Sequence, residues 1–353
     1  MEVSQVYIEQ VKNRLADFPI LVEYFNQGWL NKNILTPKRT YKMHFLFWIL
    51  LDENHCKSLV SYLSILANKL TNFKSLINKI KTNPDRYNFL AILTEIEVLA
   101  FYKSLENEKF KVEYEPKIEN QTRKCDIRIT FEGKPIFLEI LRIVDDEIEM
   151  NFEEIRNSIR EKIDDLQNNK YLVSFGIREN FSKEYIEPFV TFVEDLISKK
   201  EIILKEKYDF KINEVEIGDI YFFENTTDTK GRVVGIHGPV RVYNDAGRLK
   251  NKILDKVKQM PERETGIVIT NVSHLGTDFV DIEDAFYGQS AVSFSIGGDD
   301  SQWIRLQNGV IHTEDGKYIS LVIGFTDYNY KNRRKYPNPN SINSLKTEII
   351  NIL

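Results

Sequence analysis

Apolar positions in the first hundred residues recur at three- and four-residue steps. The stretch "SLVSYLSILANKLTNFKSLINKI" lines Leu and Ile along one stripe, and "RYNFLAILTEIEVLAFYKSL" (86–105) does the same, so both are expected to be helical. "MHFLFWILL" (43–51) is apolar but too short to span a bilayer and reads as a buried helix. Pro37 and Pro84 mark helix boundaries. After Leu105 the period changes. "FKVEYEP" alternates and stops at Pro116, and the strands "KCDIRIT" and "PIFLEIL" follow, joined by the turn Glu132-Gly133-Lys134-Pro135. A long charged amphipathic helix comes next ("DDEIEMNFEEIRNSIREKIDDLQNN"). It is followed by a compact apolar strand ("YLVSFGI") and a helix over "SKEYIEPFVTFVEDLISKK" with Ser182 as its expected N-cap.

This order predicts an α/β fold: a helical N-terminal region over 1–85, a mixed sheet flanked by helices over 86–205, and a mixed α/β region over 206–353 that is open to extending the same sheet. In the last region "DIYFFEN", "GRVVGIHG", "PVRVYND", "TGIVITNV" and "KYISLVIGFTD" read as strands. "AGRLKNKILDKVKQM" and "SINSLKTEIINIL" read as helices, and "KNRRKYPNPNS" as a basic loop.

Composition narrows the function classes. With 42% apolar and 29% charged residues, and 22 Phe and 17 Tyr, the 353-residue chain has the makings of a packed core and little call for disorder. A net charge of −5 gives no overall attraction to nucleic acid, although a local basic face can still bind phosphates. Two cysteines, Cys56 and Cys125, exclude a disulfide framework and a zinc cluster and suit a reducing compartment. The start "MEVSQVYIEQVKNRLADF" lacks the signal-peptide pattern, so a cytoplasmic location without a membrane partner is expected. None of His44, His55, His237, His274 and His312 shows ligand spacing. No Gly-x-Ser-x-Gly elbow and no phosphate-cradling glycine loop occurs. "YKNRRKYPNP" (330–339) combines cations with tyrosines and reads either as a solvated loop or as a grip on a nucleic-acid backbone.

One residue breaks the pattern. Glu139 sits inside the apolar run 136–141, where an ionised carboxylate is costly unless a charged or donating partner meets it. A turn at 132–135 pairs Phe131 with Ile136, Arg128 with Glu139 and Asp126 with Leu141. Alternation then puts Lys124, Asp126, Arg128 and Thr130 on one face with Phe137, Glu139 and Leu141. Asp126 and Glu139 become diagonal neighbours roughly 7–8 Å apart at the backbone, able to converge on one Mg²⁺ or Mn²⁺. Glu97 interrupts the stripe Leu90, Leu93, Ala100, Ser104 of the preceding helix and is the expected third acid, with Glu95 as the alternative. The plainer reading of the same residues is a cross-strand Arg128–Glu139 ion pair, with Lys124 neutralising Asp126.

These pieces resemble the PD-(D/E)XK, or restriction-endonuclease-like, nuclease superfamily. The matching parts are the acid-bearing helix "TEIEVLAFYKSL", the strand "FKVEYEP", "KCDIRIT", a short turn, "PIFLEIL", and then a helix and a strand, over roughly residues 86–178. The resemblance implies a Mg²⁺-dependent hydrolase acting on DNA or RNA. Asp126 and Glu139 would be metal ligands, and Glu97, or else Glu95, the helix acid. The family's lysine position falls on Leu141, so Lys124 or Arg128 would have to contact the scissile phosphate. The other outcome implied is an inactive module on the same fold that binds nucleic acid or a protein partner.

Overall fold

The computed structural model describes residues 3–36, 38, 42–117, 125–143, 147–166, 170–199, 202–225, 233–237, 245–261, 264–273, 277–294 and 301–353. The protein is mixed α/β with a helical N-terminal region. Its helices begin with α1 (Gln5–Asp17), α2 (Pro19–Phe25), α3 (Gln27–Leu30) and α4 (Leu46–Leu51), and continue with α5 (Glu53–Lys69), α6 (Phe73–Thr82) and α7 (Arg86–Leu105). The single stripe expected over 58–80 is broken at Leu70–Asn72 into α5 and α6. Then come β1 (Phe110–Tyr114), β2 (Ile127–Phe131), β3 (Lys134–Arg142), α8 (Glu147–Asp165), β4 (Tyr171–Ile177), α9 (Ile186–Lys199), β5 (Lys207–Ile212), β6 (Val215–Glu224) and β7 (Val233–His237). The chain closes with α10 (Asp245–Val257), β8 (Thr265–Asn271), α11 (Phe279–Tyr287), β9 (Ser290–Phe294), β10 (Ser301–Arg305), β11 (Ile319–Phe325), β12 (Arg334–Pro337) and α12 (Thr347–Ile352).

The chain forms two compact units. One is built from Met1–Lys12, Asn31–Met43 and Asp145–Val242, the other from Asn13–Leu30, His44–Val144 and Tyr243–Leu353. The first holds a four-stranded sheet in the order β5-β6-β4-β7, packed with α8 and α9 around Phe175, Phe189 and Phe222. The second holds a six-stranded sheet in the order β1-β2-β3-β8-β11-β12. The helix–strand pair that follows β3 in sequence, α8 and β4, therefore belongs to a different sheet from β3. The parallel neighbour of β3 is β8, with Glu139 opposite Val268 and Leu141 opposite Thr270. The segment 86–205, expected as one core, is shared between the two units. The reason is visible in β8: all but its first residue are buried, as a strand flanked by parallel neighbours on both sides requires.

The β2–β3 hairpin corrects the expected register. Its turn is Glu132-Gly133, and Phe131 pairs with Lys134, Arg128 with Phe137 and Ile127 with Leu138. Both turn residues have positive φ, +49° and +80°, the conformation whose twist matches the flanking strands. Pro135 lies within β3 rather than in the turn. It is tolerated because β3 begins pairing with β8 only at Ile136, so no donor is missed there. Continued one step beyond β2, this register sets Asp126 directly opposite Glu139.

Adjacent residues of β3 read the two faces of the sheet. Leu141 joins the cluster formed by Leu249 and Ile253 of α10 and Ile282 and Phe286 of α11. Arg142 reaches Thr94 of α7 on the opposite face. Glu139, two residues before Leu141, therefore faces α10.

Candidate functional site

Three charged groups meet on the α10 face. Lys256 Nζ donates to Glu139 Oε2 at 2.9 Å and to Asp126 Oδ2 at 3.3 Å. Asp126 Oδ2 also accepts from the Ile140 amide at 2.7 Å, which fixes the carboxylate over the middle of β3. Glu139 is fully buried, and its second oxygen, Oε1, has no hydrogen-bond partner. Burial, then the charge of Asp126, push the Glu139 pKa up to about 7, against the pull of Lys256. Burial acts to lower the Lys256 pKa, but Asp126 and Glu139 outweigh it and the net shift is upward. Lys256 is thus a permanent ammonium, a donor and not a base. The Cys125 thiol, buried beside the pair, is pushed up by burial and by the Glu139 charge, which keeps it an inert neutral group.

Lys256 matches no motif position in the sequence. Its signal lies in α10 and the turn after it, where Leu249, Ile253, Lys256 and Met260 follow one another at helical spacing: a lysine interrupts an apolar stripe as Glu139 interrupts an apolar strand. The three neighbours in that stripe are buried.

The other candidates separate. Glu97 does not join Asp126 and Glu139. Its Oε1 accepts from the Tyr330 amide at 3.0 Å and the Tyr62 hydroxyl at 3.2 Å, and its Oε2 from the Tyr328 amide at 3.0 Å. Glu95, the alternative, lies near enough for the Asp126 charge to raise its pKa further after burial, with Lys79 working against both. Its carboxylate is already engaged by Lys79 at 2.6 Å and by the Tyr114 hydroxyl at 3.0 Å. Arg128 is not opposite Glu139. The true register sets it across from Glu113 on β1, and it forms an ion pair there. Lys124 lies outside the described residues. Arg142 is paired with Asp327 and bonded to Thr94, with Asn271 completing the shell of Asp327, so it ties together the ends of β3, β8 and β11.

Among the described residues no group of three or more His, Cys, Asp or Glu side chains is arranged to hold a metal ion. The expected three-acid site reduces to two acids, Asp126 and Glu139, with a lysine between them. His44 is structural: its Nε2 faces the Ile80 carbonyl at 3.1 Å and its Nδ1 faces the Leu46 amide. In the basic loop, Arg333 packs on Phe101 and Tyr330 and donates to backbone carbonyls, and Lys335 donates to the Ile350 and Asn351 carbonyls, so both serve the fold. "PVRVYND" (239–245), expected as a strand, lies almost wholly outside the described residues. No helix among the described residues is long and apolar enough to cross a membrane. No protein-family model, curated protein or solved structure matches this chain.

Proposed function

We propose that the protein is a divalent-metal-dependent phosphodiesterase of the PD-(D/E)XK type acting on DNA or RNA, with Lys256 in the role of the lysine that Leu141 replaces. The observation that carries this reading is the ammonium of Lys256 placed between the carboxylates of Asp126 and Glu139. The order of elements supports it. Helix, three antiparallel strands, helix and parallel strand occur as α7-β1-β2-β3-α10-β8, with residues 145–242 inserted between β3 and α10. On this reading the second core helix is α10, the helix that carries Lys256.

The donor set fits a hard cation. Two carboxylates suit Mg²⁺ or Mn²⁺, which keep several waters of their own, and Glu139 Oε1 is a buried oxygen in want of a partner. Asp126 and Glu139 would hold the ion, which when bound supplies an acidified water and offsets phosphate charge. Lys256, held protonated, would donate to a phosphate oxygen or orient the attacking water. Glu95 and Lys79 would hold the flank of Asp126. A second reading, an inactive module that binds nucleic acid or a protein partner, draws on the same contact: Lys256 already neutralises the pair without a metal.

Cleavage assays on duplex DNA, single-stranded DNA and RNA with Mn²⁺ separate the two. The enzyme reading expects cutting by the wild type and none by Asp126→Ala or Lys256→Met. Binding without cutting at every metal concentration supports the module, and neither binding nor cutting removes nucleic acid from consideration.

A further inference from the structure

A second feature of the larger unit lies on the α7 side of the sheet. Between α5, α7 and the turn at 328–332 is a cavity of about 580 Å³. That is within the size range of small-molecule pockets. Glu97, 3% exposed, lines it together with the rings of Tyr62, Phe101 and Tyr328. Lys331 also lines it; it is exposed and has no ion-pair partner among the described residues. The turn is strained where it meets the cavity. Tyr328 has φ +58°, a region a bulky residue rarely occupies, and its ring stacks on His55 at 4.3 Å. Such strain persists only where surrounding structure over-determines it, and it gathers at ligand sites. Here it has a visible purpose: it delivers the Tyr328 and Tyr330 amides to Glu97.

The acceptor count defines the ligand's inner end. A carboxylate offers roughly four lone-pair sites. Three are taken, by Tyr62, Tyr328 and Tyr330. One site, on Oε2, is left, and Glu97 lines the cavity, so one donor from a ligand there would complete the carboxylate. Aromatic walls suit a flat, π-faced body next to that donor, and Lys331 suits an anionic outer end. An alkylammonium would meet Lys331 as a like charge, so a simple amine is disfavoured.

We propose that this cavity binds one nucleotide unit: a base giving one N–H to Glu97, stacked against the aromatic wall, with its phosphate toward Lys331. The unit is either a free mononucleotide or a base within a single strand. The site is separate from the Asp126–Glu139–Lys256 cluster and does not depend on cleavage there.

Calorimetric titration with AMP, GMP, CMP and UMP, with the matching nucleosides, and with a short single-stranded DNA tests this. Asp126→Ala protein is used in the strand titrations so that cutting cannot consume the ligand. At least one mononucleotide or the strand is expected to bind at one per chain, more tightly than the nucleoside. Ser61→Trp, at an exposed rim position, is expected to weaken binding by roughly tenfold or more through lost stacking room. Lys331→Glu is expected to abolish the advantage of nucleotide over nucleoside. Should Ser61→Trp shift the melting temperature, Ser104→Trp at another exposed rim position makes the same test. Binding of free nucleotides identifies the first source, and binding of the strand alone the second. The proposal is overturned if no nucleotide or strand binds, if the filled cavity binds unchanged, or if propylammonium binds in their place.

Discussion

Glu139 and Glu97 are both carboxylates set into apolar segments, and the fold answers them in opposite ways. Glu139 meets one cation and is left with an orphaned oxygen. Glu97 meets three neutral donors, two of them backbone amides fixed by a strained turn. A shell of amides cannot leave without unfolding the turn, so Glu97 is held in one state. A lysine on a helix, unlike backbone amides, can be moved aside without unfolding a turn. The contrast teaches that burial alone does not say what a carboxylate is for. The kind of partner that meets it separates the two.

The largest stability effect is expected at Lys256. Removing one member of a buried ion pair leaves an uncompensated charge, costing about 3–5 kcal/mol. Its pH dependence has a definite sign. The folded-state pKa of Glu139 lies above its ordinary value of 4.5, so its contribution to stability is fully present below pH 4.5 and is lost as pH rises toward about 7. Lys256→Met removes the cation that limits that rise, extending the loss upward in pH. Denaturant unfolding of the variant should therefore show a larger deficit at pH 8 than at pH 5, where Glu139 is neutral. An equal deficit at both pH values would mean that Glu139 is not the group Lys256 serves.

Leu141→Lys sharpens the same point. Leu141 is 7% exposed and packs against α10, so a lysine there is forced into an apolar contact next to an existing ammonium. Alone it is expected to destabilise by roughly 1–3 kcal/mol or more, because the longer side chain overpacks the contact and its ammonium is buried beside another. In the Lys256→Met background the new lysine has two acids to meet. The double variant should lose less than the sum of the single changes, and the difference measures the coupling. Simple additivity would place Leu141 out of reach of the acids.

For Glu97→Gln a smaller cost is expected, about 1–3 kcal/mol, because a donor amide replaces an acceptor facing three donors. Cleavage should persist in this variant while it is abolished by Asp126→Ala. Loss of cleavage with an unchanged unfolding curve would return Glu97 to the catalytic set.

The shared face of Asp126 and Glu139 is legible from alternation, although a turn over 132–135 sets the register two residues away from the observed one. A shift of two preserves faces, whereas a shift of one would have reversed them. Pro135 carries the sequence signature of a turn residue but stands near the start of a strand, paired with Thr130. The choice between Glu95 and Glu97 was not legible, because α7 is buried on nearly every side and has no single apolar stripe from which a facing could be read. Lys256 lies 117 residues from Glu139, beyond an inserted unit with its own sheet, and no local period reports a contact of that span.

The smallest effect is expected at Arg128. Its ion pair with Glu113 is half open to water, with side chains 30% and 49% exposed, and exposed pairs contribute less than about 1 kcal/mol and weaken in salt. Arg128→Ala should therefore shift unfolding slightly at low ionic strength and hardly at all at high ionic strength, with cleavage retained. This variant is also the sharpest control on the comparison. Arg128 shares a sheet face with Glu139, and were it to swing from Glu113 to a bound phosphate it would take the part assigned to Lys256. Cleavage lost in Arg128→Ala but kept in Lys256→Met would reverse the two roles, and Lys256 would become the structural partner of a buried acid, as the amides are for Glu97.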